Sequence, residues 1–139
     1  LNNNKETYTG GAEVKKLLSS TGYKLPMVKL DDHLNHLQSL HFIKIDAEYM
    51  EIEVIKGATQ LINKFKPVLY FEFDHKVNQE LFQYVKSLNY DMYYHITPMF
   101  NPDNYNKDPE DLFPDGLSNM IFATHKSLNF KTNLEKVEC

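Results

Sequence analysis

The chain has 139 residues, enough for one domain with a buried core, and its 42% hydrophobic and 24% charged residues are ordinary for a folded globular protein. A net charge of -4 carries no electrostatic footprint for nucleic acid or an anionic membrane, and no apolar run approaches the ~20 residues of a membrane span. The single cysteine, Cys139, excludes a disulfide framework and a cysteine zinc site, and all 15 basic residues are Lys, so guanidinium recognition of phosphate or carboxylate is excluded as well.

Residues 1–25 read as an irregular N-terminal segment, with a polar Asn2-Asn3-Asn4 start and a Thr9-Gly10-Gly11 turn signal. Ala12 to Leu18 fits either a short helix or an edge strand. Pro26 to Leu30 predicts a short strand. Asp31 or Asp32 can then N-cap a helix carrying Leu34, Leu37 and Leu40 at spacings of three.

His41 to Ile45 predicts the next strand, and it runs straight into an acidic helix start. From there to about Lys66, Val54, Ile55, Ala58, Leu61, Ile62 and Phe65 fall at spacings of three and four, which marks an amphipathic helix on a sheet. Glu48, Glu51 and Glu53 suit the positive end of its dipole, and Lys64 and Lys66 the negative end. Pro67 to Phe73 is almost continuously apolar, as in a strand covered on both faces. A helix with Val77, Leu81, Phe82, Val85 and Leu88 inward follows, then a strand over Tyr90 to Ile96.

Thr97 to Ser118 holds Pro98, Pro102, Pro109 and Pro114 among Asn and Asp, and so predicts a long loop of the kind that often serves as a functional lid. Asn119 to Ala123 is the last strand, and residues 126–139 read as an exposed tail. Strands alternating with helices predict a right-handed α/β sheet that is mostly parallel, and a final strand reached through a loop would lie antiparallel.

Asp46 and Glu48 stand where the strand ends and the helix begins, the end of an open α/β sheet at which ligands bind. Asp46 and Asp74 would end neighbouring strands about 5 Å apart. With Glu72 and His75 they can converge on one acceptor hydroxyl, or on one divalent ion with oxygen ligands, for which the sequence gives no further support. Capping of the following helices is the competing role for Asp46 and Asp74. Glu48 can hold substrate or simply stabilise the helix dipole, the simpler role. Tyr93, Tyr94 and His95 can line an acceptor pocket beside the long loop, or merely pack. His33-x-x-His36 puts two imidazoles on one helix face, but without a third ligand this reads as a solvated face, not a metal site. Gly57 in mid-helix costs about 1 kcal/mol against Ala and reads as a packing residue.

The run Ile43-Lys44-Ile45-Asp46-Ala47-Glu48, then Glu51, then Val54-Ile55-Lys56-Gly57-Ala58, then Lys66-Pro67-Val68-Leu69-Tyr70-Phe71-Glu72, resembles the FkbM-type methyltransferases. That family opens on an IK-I-D-V-E-G pattern, follows with a helix bearing L-K-G-A, and continues into an apolar strand; Leu30-Asp31-Asp32 resembles its upstream strand-to-helix step. The similarity spans about residues 26–123 and is densest over 42–73.

The resemblance implies a class I, Rossmann-like methyltransferase using S-adenosylmethionine and acting on a hydroxyl of a sugar, lipid or natural product. Asp46, Asp74 and His75 would be catalytic, Asp31 and Asp46 would face the cofactor, and Glu48, Glu72 and Tyr94 would face a small-molecule or glycan acceptor. Two departures qualify it. Tyr49 stands where the family has Gly, a residue that permits left-handed backbone angles. No glycine-rich turn follows a first strand, so residues 26–125 read as the C-terminal part of the fold, without its cofactor half. Leu1 in place of Met suggests a fragment or a processed product. A sheet cut in this way leaves an open edge prone to self-association. The alternative is a non-catalytic binding or assembly module derived from such an enzyme. With no leader sequence, a cytoplasmic setting is the default.

Overall fold

The computed structural model describes residues 27–73 and 79–138. Four strands form one sheet: β1 (Phe42–Ile45), β2 (Val68–Glu72), β3 (Tyr90–Pro98) and β4 (Leu117–His125), in the order β1-β2-β4-β3. β1 and β2 pair in parallel, with Phe42 opposite Val68 and Ile45 opposite Phe71. β4 lies between β2 and β3 and is antiparallel to both. β1, β2 and β3 therefore run the same way and the last strand runs against them, although only one of the three pairings is itself parallel.

Three helices, α1 (Glu51–Lys56), α2 (Thr59–Phe65) and α3 (Gln79–Ser87), pack on one face of the sheet. Ile45, Leu69, Phe71, Ile121, Ala123 and Met92 point from the strands into this layer and meet Ile55, Ala58, Ile62, Leu81 and Val85, all buried. The period-two alternation of β2, with Leu69 and Phe71 buried and Tyr70 partly exposed, shows that its two faces differ. Near-continuous hydrophobicity thus reflects an aromatic second face. On that face Phe42, Tyr70 and Phe122 stand over an open depression of about 440 Å³ shared with His95, Phe130 and Leu134.

Several predicted elements differ. Residues 27–29 form no strand; Met27 and Val28 are exposed, and the segment packs instead where α1 meets α2, through Asp31 N–H donating to the Gly57 carbonyl at 2.9 Å. The predicted leucine helix is a 3₁₀ turn over Leu30–His36 that stops before Leu37. Spacings of three match the 3.0 residues per turn of that conformation better than the 3.6 of an α-helix.

The single helix expected up to Lys66 is two. Gly57 and Ala58 interrupt it, and Ala58, at φ -118°, is outside helical geometry. A Cβ on Gly57 would sit 3.3 Å from the Glu53 carbonyl oxygen and 3.9 Å from Lys29 Cα, so this glycine serves the junction with the N-terminal segment and not packing on the sheet. Strands β3 and β4 each run two residues further towards the connecting loop than expected, which shortens that loop to residues 99–116. The segment after Lys126 is largely exposed over its described residues, but it is anchored. Tyr94 N–H donates to the Glu135 carbonyl and Val137 N–H to the Met92 carbonyl, both at 2.9 Å, and Val137 is buried. This lines the outer edge of β3. No described strand pairs with the outer edge of β1.

Candidate functional site

The carboxyl ends of β1 and β2 lie side by side because the strands are parallel and in register. Glu72 is the last residue of β2, and Asp46 follows the last residue of β1. Between β1 and α1 the chain makes a tight turn, with Met50 N–H donating to the Ala47 carbonyl at 3.1 Å. Glu48 at φ 48° and Tyr49 at φ 74° both occupy the left-handed region. That turn folds Glu48 back over the strand ends. One carboxylate oxygen from each of Asp46, Glu48 and Glu72 lies within 4.8 Å of the others.

Two neighbours hold this arrangement. Glu51 is buried, and its Oε1 accepts the Ala47 N–H at 3.0 Å, which pins the turn from the first residue of α1. Lys44 Nζ reaches along β1 to Asp46 Oδ2 at 2.7 Å. That contact, with the nearby charges of Asp46 and Glu72, raises the Lys44 pKa despite some desolvation. Glu72 is raised above the usual carboxylate range, first because its carboxyl is partly desolvated and then because Asp46, Glu48 and Glu51 repel its charge; Lys44 offsets part of this. Glu72 is exposed as a residue, so the repulsion from the carboxylates around it is the firmer physical cause.

Chemically, three carboxylates facing one point can accept protons from hydroxyl groups, attract a cation, or supply oxygen ligands of the kind that suit Mg²⁺ or Ca²⁺. Two residues back along β2, on the same face, the Tyr70 hydroxyl is hydrogen-bonded to His95 Nδ1 at 2.9 Å, and burial raises its pKa.

The structure brings together Asp46, Glu48 and Glu72 from the residues expected at the site. Asp74 and His75 lie outside the described residues. Asp31 is elsewhere: its two carboxylate oxygens accept the Gln60 and Leu61 N–H groups at 3.0 and 2.9 Å, so it caps α2 across the fold, and not the helical turn it belongs to. Tyr94 lies on the helix-covered face, its ring 5.4 Å from that of Phe73 and packed on the core. His95, its neighbour, points to the other face and to Tyr70.

His33 and His36 have ring centroids 6.3 Å apart on the 3₁₀ turn and belong to no metal-competent group among the described residues. The sequence places Lys44 only within a strand and marks Glu51 only as a helix-dipole residue. Their spacings from Asp46 and Ala47, two and four, are the signal that marks them as partners.

A sequence model of the methyltransferase FkbM domain matches residues 4–92. The chain belongs to the FkbM methyltransferase domain family. The match takes in the whole β1–turn–α1 unit and β2; it begins upstream of residue 26 and stops at Met92, within β3. No curated protein and no solved structure matches the chain. Tyr49, at a φ of 74°, holds the left-handed geometry that favours glycine.

Methyltransferases of this kind use S-adenosylmethionine in general, and the described residues do not complete a cradle for it. Their only glycines, Gly57 and Gly116, serve a helix junction and a loop turn, and the Asp31 carboxylate is engaged in the α2 cap. The carboxylate cluster would suit the positive charge of that cofactor but provides one wall only.

Proposed function

We propose that this FkbM domain carries the acceptor side of a methyltransferase that acts on a hydroxyl of a sugar, lipid or natural product. The observation that carries the reading is the convergence of Asp46, Glu48 and Glu72 at the carboxyl ends of two parallel strands. An alcohol gains a methyl group only if its proton leaves, and a carboxylate whose pKa is raised is the better acceptor for that proton. Glu72 has this property through partial desolvation and through repulsion by its neighbours. Asp46, tied to Lys44, is the orienting member that accepts a hydrogen bond from the acceptor, and Glu48 closes the site from the turn. Alignment of the hydroxyl by two carboxylates accounts for a large share of the rate in an in-line displacement.

The test is transfer of a labelled methyl group from S-adenosylmethionine to a panel of sugar and alkyl alcohols, together with calorimetric titration of that cofactor into the chain. Glu72→Gln and Asp46→Asn are each expected to lower transfer by about a hundredfold or more, the usual contribution of a positioned base. Variants that transfer methyl groups at the parent rate would remove the carboxylates from the mechanism. Micromolar cofactor binding would show that residues outside the described cluster complete the cradle.

A further inference from the structure

The β3–β4 hairpin does not stop where β2 stops. Glu72 is level with Met120 and His95, and three further pairs follow, ending at Pro98 opposite Leu117. At 3.3–3.4 Å per residue this carries the hairpin about 10 Å past the carboxylates, on the strand directly beside β2. The 99–116 loop continues from this overhang at the site's end of the sheet.

The loop is built inside out. Its polar groups bond to one another: Asn104 Oδ1 accepts the Asp108 N–H at 3.0 Å, Asn104 Nδ2 donates to the Asp108 carbonyl at 2.7 Å, and Asp111 Oδ1 accepts the Phe113 N–H at 2.8 Å. Its base is closed by Met99 N–H on the Gly116 carbonyl and by Gly116 N–H on the Phe113 carbonyl. A Cβ at Gly116 would lie 2.8 Å from the Phe113 oxygen, so the turn that displays Phe113 requires glycine there. The apolar side chains face solvent instead, with Leu112 71%, Phe113 62%, Met99 55% and Leu117 50% exposed. A self-bonded loop with its hydrophobic residues outward marks a contact surface.

We propose that this loop is the wall that selects the acceptor, and that it takes hydroxyl compounds with an apolar body and no negative charge. The inference rests on the acceptor-side reading above. Apolar contact comes from Met99, Leu112 and Phe113. The charge rule comes from the surroundings: among the described residues, Asp46, Glu48 and Glu72 at the strand ends and Asp103, Asp108, Glu110, Asp111 and Asp115 in the loop are accompanied by the lysines Lys44 and Lys107, each already held by a carboxylate. An anion approaching this end meets uncompensated negative charge.

The test titrates octyl glucoside, below its micelle concentration, into the 139-residue chain while the methyl resonances of Met99, Leu112 and Leu117 are followed. Glucose and octanoate serve as the arms lacking the apolar body and carrying the negative charge. Saturable shifts at these three residues are expected with octyl glucoside, with affinity at least tenfold above either control; burial of two methylenes suffices for that. Phe113→Ser and, separately, Leu112→Asn should weaken binding at least tenfold with the backbone amide spectrum otherwise retained. Equal affinity for glucose or octanoate, shifts confined to the Phe42–Phe122 face, or self-association of the chain that Phe113→Ser abolishes would each overturn the proposal. Octyl glucoside binding without methyl transfer would defeat the enzymatic reading alone. Methyl transfer indifferent to the alkyl chain would defeat the loop proposal alone.

Discussion

At the scale of single residues, the turn between β1 and α1 concentrates the costs of the site. Tyr49 at φ 74° is in a conformation that costs a non-glycine residue roughly 1–2 kcal/mol, and with 67% of its surface exposed it recovers little by burial. Tyr49→Gly is therefore expected to stabilise the chain, by about 0.5–1 kcal/mol after the larger chain entropy of unfolded glycine is subtracted. Urea denaturation of the two chains checks this, and a loss of stability would mean that the tyrosine ring makes a contact worth more than the strain. Glu51 carries the opposite sign. Its buried carboxylate satisfies the Ala47 N–H, and Glu51→Ala should cost about 1.5–3 kcal/mol, the range for a hydrogen bond to a charged group. Glu72 adds a pH dependence. Its pKa is higher folded than unfolded, so between the ordinary value of 4.5 and the raised one the folded state binds more protons. Stability contributed by Glu72 is thus full below pH 4.5 and falls as pH rises through that window. Denaturation series from pH 4 to 7 should show this decline in the parent relative to Glu72→Gln, and parallel curves would count against repulsion within the cluster.

At the scale of elements, the α1–α2 break and the Asp31 cap are one device. Interrupting the helix at Gly57–Ala58 frees the first amides of α2, and Asp31 arrives from a separate segment to satisfy two of them. Asp31→Ala is expected to cost about 1–2 kcal/mol and to speed hydrogen exchange at Gln60 and Leu61, with Asn restoring part of the loss. An unchanged exchange rate would return Asp31 to a role in ligand contact. The β1–helix–β2 unit was legible because a strand period gives way to a helical one at Asp46, and because its motif is dense enough to identify the family. The cap was not legible, since Asp31 precedes a leucine run that it could equally have capped, and nothing local points twenty-nine residues onward. The break was hidden because Gly57 is tolerated inside a helical pattern. The clustering of Glu48 with Asp46 and Glu72 depends on two consecutive left-handed residues, Glu48 and Tyr49, neither of which is a type that signals such a turn.

At the scale of the whole molecule, the two edges of the sheet are treated differently. The outer edge of β3 is covered by residues 135–137, and Lys136 adds an ion pair to Asp91 at 2.7 Å. The outer edge of β1 has no described partner, and the face beside it carries Phe42 and Phe130, 51% and 42% exposed. An open strand edge next to an aromatic surface favours pairing with another chain, and a single charge, Lys44, opposes it from within β1. That lysine is already held by Asp46, so its capacity to repel a second copy is reduced. The chain is therefore expected to self-associate as its concentration rises, giving masses above 16.3 kDa in light scattering. Phe42→Lys places an unpaired charge on the edge strand and removes the apolar surface, so it should shift the distribution towards the monomer. Because Phe42 is the first residue of β1, at the end of the sheet opposite the 99–116 loop, association through this edge should persist in Phe113→Ser, which separates it from any contact made by the loop. A chain that stays at its monomer mass at every concentration would mean that the β1 edge is protected, and that residues outside those described provide the cover.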